Sequence, residues 1–186
     1  MTERILLVGM MGAGKTTTGR LVAEELGWEY LDSDAEVEQA TGLSVPALFA
    51  RDGEEAFREA ETDALRRACT STRPVVVSVA GGAVLRAENR ALLRACGRVV
   101  WLRARVETLA VRVGDGVGRP LLDGDPYAAL RRLDAVRRPL YAEVADDIID
   151  VDELSGDEVA TRIVGAGPDA PDAGGRQVSE GTPADA

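Results

Sequence analysis

Short, continuous apolar runs alternate along this chain with longer stretches in which apolar residues recur every three to four positions. Ile5-Leu6-Leu7-Val8 is such a run, closed by Gly9, and has the form of a strand buried on both faces. Leu21, Val22 and Leu26 then mark a helix over 17–26, which Gly27 stops. Trp28 to Leu31 predicts a second strand, ending in Asp32-Ser33-Asp34. Short helices are expected over 35–40 and 46–50, and a longer one, rich in Glu and Arg, over 54–69. Pro74 to Val79 is strongly β-branched and runs into Ala80-Gly81-Gly82. A helix over 87–95, a strand over 98–102 and a helix over 106–113 follow. Gly114 to Gly124 is rich in Gly and Asp and reads as a mobile surface loop. Pro126 to Val144 predicts a long amphipathic helix interrupted near Pro139. The last strand is expected over 147–151 and the last helix over 156–164.

Strands alternating with helices predict an α/β fold, a parallel sheet with helices on both faces. In such sheets ligands lie beyond the carboxyl ends of the strands. The segments 9–16, 32–34 and 80–82 each follow a predicted strand, so all three are expected along that edge. Residues 166–186, mostly Gly, Pro, Asp, Ser and Ala, have little to bury and read as a disordered tail. The predicted organisation is a single domain over 1–165 followed by that tail.

Composition narrows the chemistry. The formal net charge of −10 argues against general nucleic-acid binding, which needs a basic face. Anion binding must then rest on a local cluster, which makes the arginines informative. With no histidine in the chain, proton abstraction falls to a carboxylate. Cys69 and Cys96 stand far apart, in no metal-ligand spacing; they suggest no disulfide framework and a reducing compartment. The apolar run at 5–8 is too short for a signal peptide or a membrane span. A cytoplasmic protein without membrane association is expected, and a monomer, since no long apolar patch or heptad run is present.

Lys15 is the only lysine in the chain, and it stands in Gly9-Met10-Met11-Gly12-Ala13-Gly14-Lys15-Thr16. This fits G-x-x-x-x-G-K-[ST] between a strand and a helix, the context in which that motif binds nucleotide phosphates. Glycines let backbone N–H groups turn toward phosphate oxygens, and the helix N-terminus adds donors and partial positive charge. Lys15 would reach the β- and γ-phosphates, and the Thr16 hydroxyl would ligate Mg²⁺. The bland counterpart is an ordinary glycine-rich turn. No Asn-Lys-x-Asp element for guanine is present. Ile148-Ile149-Asp150 reads as a last strand with a solvated end.

If extended geometry continues through Asp32 and Asp34, both carboxylates face one side. One can then meet a Mg²⁺ hydration shell and the other an acceptor hydroxyl; alternatively, the pair caps the next helix. Arg58 alone reads as an exposed salt-bridging arginine. Arg119, in the predicted mobile loop, suits a lid that stabilises a transferring phosphoryl group, and Arg137 lies on the long helix.

Together these residues resemble the shikimate kinase family. The P-loop with Lys15-Thr16, the Asp32-Ser33-Asp34 pair, Gly53 through Phe57-Arg58 and Glu61, Gly81-Gly82, Arg119-Pro120-Leu121-Leu122, and Arg137 before Pro139-Leu140-Tyr141 follow in order over about residues 3–164. The resemblance implies a three-layer αβα fold with a five-stranded parallel sheet, a helical substrate-binding segment around 33–61 and a lid around 112–124. It implies transfer of phosphate from ATP to the 3-hydroxyl of shikimate. Asp34 would hold the acceptor hydroxyl as base or positioner, with Lys15 and Arg119 as further catalytic groups. Gly12, Ala13, Gly14, Lys15, Thr16, Thr17, Arg112 and Arg119 would bind ATP, with Arg112 near adenine. Arg58, Arg137 and the backbone of Gly81 and Gly82 would bind shikimate, and Thr16 and Asp32 would manage Mg²⁺.

The chain departs from the family pattern at Ala80, where three consecutive glycines are usual. A positive φ there would cost alanine on the order of 1 kcal/mol, whereas a need only for a small side chain would not. Two other readings stand beside the main one: a kinase for another small acid such as gluconate, and a non-catalytic nucleotide-dependent switch.

Overall fold

The computed structural model describes residues 3–114, 122 and 124–166. Five parallel strands form one sheet in the order β2-β3-β1-β4-β5. They are β1 (Arg4–Val8), β2 (Glu29–Asp32), β3 (Val75–Ser78), β4 (Arg98–Arg103) and β5 (Asp147–Asp150). In the central three, the apolar runs follow from burial on both faces: Leu6 pairs with Val77 on one side and Val99 on the other, and all three are buried. The edge strands are mixed. In β5 exposed and half-buried residues alternate, and Asp150 sits at its end against Arg103.

Helices α1 (Lys15–Leu26), α2 (Ser33–Thr41), α3 (Val45–Thr70), α4 (Ala87–Cys96), α5 (Val106–Val113), α6 (Pro126–Val144) and α7 (Gly156–Gly165) connect and cover these strands. α1 packs on α7 and over β3, while α4 packs between α3 and α6. One core cluster joins the strands to α1, α4, α5, α6 and α7, and a smaller one, built on Val37, Leu48, Phe57 and Ala64, ties α2 to α3. The sheet order reverses at β1, whose neighbours are β3 and β4, so the loop after β1 opens at a topological switch point.

The structure departs from the sequence expectations at several points. α3 is not one of them: the two helices expected over 46–50 and 54–69 are its two arms, which meet in a kink at Gly53, whose φ of 84° and ψ of 179° lie outside the helical range. The interruption expected at Pro139 is absent, and α6 is continuous through it. Proline costs a helix interior about 3 kcal/mol, but Leu130, Arg137, Tyr141 and Val144 are buried on both sides of it and hold the helix together. Extended geometry does not persist past Asp32, because α2 begins at Ser33.

The cysteines depart most. Cys69 and Cys96, expected to be unpaired, form a disulfide with their Cα atoms 5.2 Å apart. Sequence separation hides this, since Cys69 lies in the last turn of α3 and Cys96 ends α4. The two helix ends meet at the amino edge of the sheet, where Arg4 of β1 donates to the carbonyls of both Ser71 and Cys96. The pairing removes the argument from cysteine usage for a reducing compartment. No helix among the described residues is long and apolar enough to cross a membrane. The Arg119 position, most of the predicted mobile loop and nearly all of the expected tail lie outside the described residues.

Candidate active site

The loop after β1 closes tightly because its glycines allow it. Gly14 caps α1 at φ 91°, a conformation that disfavours side chains, and donates no side-chain bond. The first N–H groups of α1 therefore open toward the loop. Lys15 Nζ donates to the carbonyls of Gly9 and Met10 at 2.9 and 3.1 Å, which holds the ammonium over the loop.

Asp32 ends β2 and turns the chain into α2. Its Oδ1 accepts the N–H of Asp34 at 3.1 Å, so it caps the helix. Its Oδ2 accepts the Thr16 hydroxyl at 3.1 Å. Capping and proximity to the nucleotide loop, set as alternatives in the sequence, coexist in one carboxylate. Burial pushes the Asp34 carboxyl up from its ordinary range; the charge of Asp32 adds to this, and Lys15 pulls it back.

Arg58 and Arg137 both lie against the glycine turn after β3, in different electrostatic settings. Arg58 is bonded to the buried Glu61 at 2.7 Å and to the exposed Glu54 at 3.1 Å. Burial pushes the Glu61 carboxyl up, and the Arg58 guanidinium pulls it back down. Arg137 is 2% exposed, has no ion pair among the described residues, and its Nε has no hydrogen-bond partner. A buried guanidinium in this state is poised for an anion.

The glycine turn is shaped by these arginines. A Cβ on Gly82 would lie 2.5 Å from Arg58 Nη1, so the absent side chain is where the guanidinium sits. On the other side, the Tyr141 hydroxyl donates to the Gly81 carbonyl at 2.7 Å, and burial pushes this phenol far above its usual range. Ala80 has a negative φ, and its N–H donates to Ser33 Oγ at 2.8 Å. The position needs a small residue rather than a left-handed backbone, and alanine serves.

These groups line one cavity of about 680 Å³. Gly12, Gly14, Lys15, Thr16 and Thr17 line it at one end, with Asp32, Asp34, Arg58, Gly81, Gly82, Arg112 and Arg137 along it. Of the expected site residues, Ala13 is absent from the lining because its side chain is buried in the core, and Arg119 falls outside the described residues. Arg112 reaches from α5 to the carbonyl of Val151 at 2.7 Å, fixing the segment after β5. No separate sequence signal marks Glu38 or Phe49, which also line the cavity, nor Tyr30 and Ser33, which contact its wall residues.

A parallel sheet whose β1 passes through this glycine loop into α1 at the switch point, with acid and arginine groups sharing its cavity, defines a phosphotransferase of the P-loop class. The family model described as Shikimate kinase matches residues 11–166. The chain belongs to the shikimate kinase family. The shikimate kinase of Moorella thermoacetica is 48% identical over 88% of this chain and 93% of its own length. That of Bordetella pertussis is 50% identical over 81% of this chain and 71% of its own. Among solved structures, the shikimate kinase from Acinetobacter baumannii in complex with shikimate superposes with a TM-score of 0.85 at 41% identity, covering 89% of this chain and 92% of that one.

Proposed function

We infer that this chain phosphorylates the 3-hydroxyl of shikimate with ATP, giving 3-phosphoshikimate and ADP within chorismate and aromatic amino acid biosynthesis. The carrying observation is the single cavity that joins the phosphate-binding loop to Asp34, Arg58 and Arg137. The P-loop N–H groups and Lys15 hold the β- and γ-phosphates, and Thr17 and Arg112 complete the nucleotide end. The substrate carboxylate lies on Arg137 and Arg58, with the backbone of Gly81 and Gly82 beside the ring. The acceptor oxygen attacks the γ-phosphorus, the bond to the β-γ bridging oxygen breaks, and Asp34 takes the hydroxyl proton. Its raised pKa brings it closer to the strength a general base needs. Lys15, and Arg119 from the lid segment, balance charge on the transferring group.

The described residues contain no group of three or more His, Cys, Asp or Glu able to hold a metal ion. Thr16 and Asp32 instead offer one hydroxyl and one carboxylate, 3.1 Å apart, beside the phosphate loop. That donor set fits Mg²⁺, which takes hard oxygens and completes its shell with phosphates and water. When bound, Mg²⁺ neutralises phosphate charge as the γ-group transfers. We propose that the enzyme is cytoplasmic and a monomer; sedimentation of the purified chain checks the monomer.

The deciding assay is ADP release with Mg-ATP and shikimate, gluconate or no acceptor. Release that depends on shikimate alone supports the reading, and equal release with gluconate overturns the substrate assignment.

A further inference from the structure

Behind the Thr16–Asp32 pair lies a second layer of hydroxyls that the reaction outlined above does not use. The Tyr30 hydroxyl is 3.2 Å from Asp32 Oδ2 and 2.9 Å from Ser78 Oγ. Ser78 ends β3 and is buried, and Tyr30 lies on the neighbouring strand β2. The Tyr30 ring is wedged under α1, where a Cβ on Gly19 would come within 2.7 Å of its Cε2 and 3.0 Å of Ser78 Oγ. Arg20 covers the ring with its guanidinium carbon 5.4 Å from the centroid. The ring has little freedom to swing, so the hydroxyl is aimed by packing.

A phenol carries one proton. The carboxylate is the stronger acceptor of the two neighbours, so that proton goes to Asp32, and Ser78 donates to the phenol oxygen. Oδ2 of Asp32 thus accepts from two hydroxyls, Thr16 on α1 and Tyr30 on β2. Only one of these is fixed. Thr16 can offer an oxygen lone pair to a cation, and its hydroxyl is free to rotate. Tyr30, held by packing, keeps its hydroxyl aimed at Oδ2.

We propose that Tyr30, backed by Ser78, is a positioning residue that holds the Asp32 carboxylate in the orientation a divalent cation requires. Tyr30 does not touch the cation. It sets the angle of Oδ2 and limits the carboxylate's rotation, as groups hydrogen-bonded to a ligand commonly do. This inference rests on the assignment of Mg²⁺ to Thr16 and Asp32. Tyr30→Phe keeps the ring against Gly19 and removes only the hydroxyl.

The test is Mn²⁺ titration of the ADP-loaded full-length chain, followed by electron paramagnetic resonance of free Mn²⁺, for wild type, Tyr30→Phe and Asp32→Asn. ADP binding in EDTA and the melting temperature are measured alongside. Loss of one hydrogen bond to a charged group that ligates a metal predicts an Mn²⁺ dissociation constant about 10- to 100-fold weaker in Tyr30→Phe. ADP affinity in EDTA should stay within about twofold of wild type. Asp32→Asn should weaken Mn²⁺ binding at least as much. If Asp32→Asn weakens it and Tyr30→Phe does not, the positioning role fails and the metal assignment survives. If neither variant changes it, both fail. A Tyr30→Phe protein that loses ADP affinity in EDTA and melting temperature together, with unchanged Mn²⁺ affinity once ADP-saturated, shows a packing role and also overturns the proposal.

Discussion

Arg58 and Arg137 meet the same glycine turn, but only Arg58 is already neutralised by carboxylates. The two should respond differently to truncation. Arg137→Ala removes a guanidinium with no competing ion pair, so the KM for shikimate should rise about 10- to 100-fold, with the KM for ATP nearly unchanged. Arg58→Ala also strands Glu61, which is 2% exposed, without its partner. It should therefore lower the melting temperature as well, as breaking buried pairs by removing one member does. Steady-state kinetics and thermal melting of the two variants check this, and equal melting points would count against the buried pair. Asp34 makes a pH prediction. As a base it must be ionised, and its raised pKa moves the acid limb of the kcat/KM profile above the ordinary aspartate value. A carboxyl raised in the folded state contributes stability below its unfolded pKa and loses it as pH rises through the folded value. At neutral pH that contribution is gone and burying the charge opposes folding, so Asp34→Asn should melt slightly higher while losing about 10²- to 10⁴-fold in kcat. A lower melting point in the variant at neutral pH would contradict this.

The helices explain why some of these partners were readable and others were not. The Phe57-Arg58-x-x-Glu61 spacing places Arg58 and Glu61 one turn apart, so their pairing is local and visible in the chain. Arg137 and Tyr141 share a face of α6 in the same way, but the carbonyl that Tyr141 meets is 60 residues away. Tyr30 and Ser78 stand 48 residues apart, on consecutive strands, and become neighbours only through the register of β2 on β3. Pro139 misled because helix propensity is a local term, and the burial that overrides it comes from the rest of the core. The cysteines misled for the same reason: what pairs them is the packing of α3 on α4. The cross-link closes a loop with a sequence separation of 27, for which chain-entropy reasoning gives roughly 3–4 kcal/mol. Reduction, or Cys69→Ser with Cys96→Ser, should lower the melting temperature. Turnover at 25 °C should be unaffected, since the pair lies at the amino edge of the sheet and the cavity at the other. A fall in kcat without a fall in melting temperature would refute that separation.

At the scale of the molecule, the strand–helix alternation was sufficient to give the sheet and place three loops along one edge, because parallel topology follows from the hydrophobic pattern. An acidic protein with a formal charge of −10 that takes two anionic substrates must concentrate its cations, and Lys15, Arg58, Arg112 and Arg137 share one cavity. The pattern alone did not give that convergence; the motif positions did, each at the carboxyl end of a strand or on a helix packed over it. The disulfide adds a topological fact to this layout. Residues 69–96 form a covalent ring, and β3 and the glycine turn that meets Arg58 and Arg137 are part of it. A single protease cut in that turn would therefore release nothing. The nicked chain would migrate as one species on a denaturing gel until a reductant opened it into two fragments, each carrying part of the same catalytic cavity.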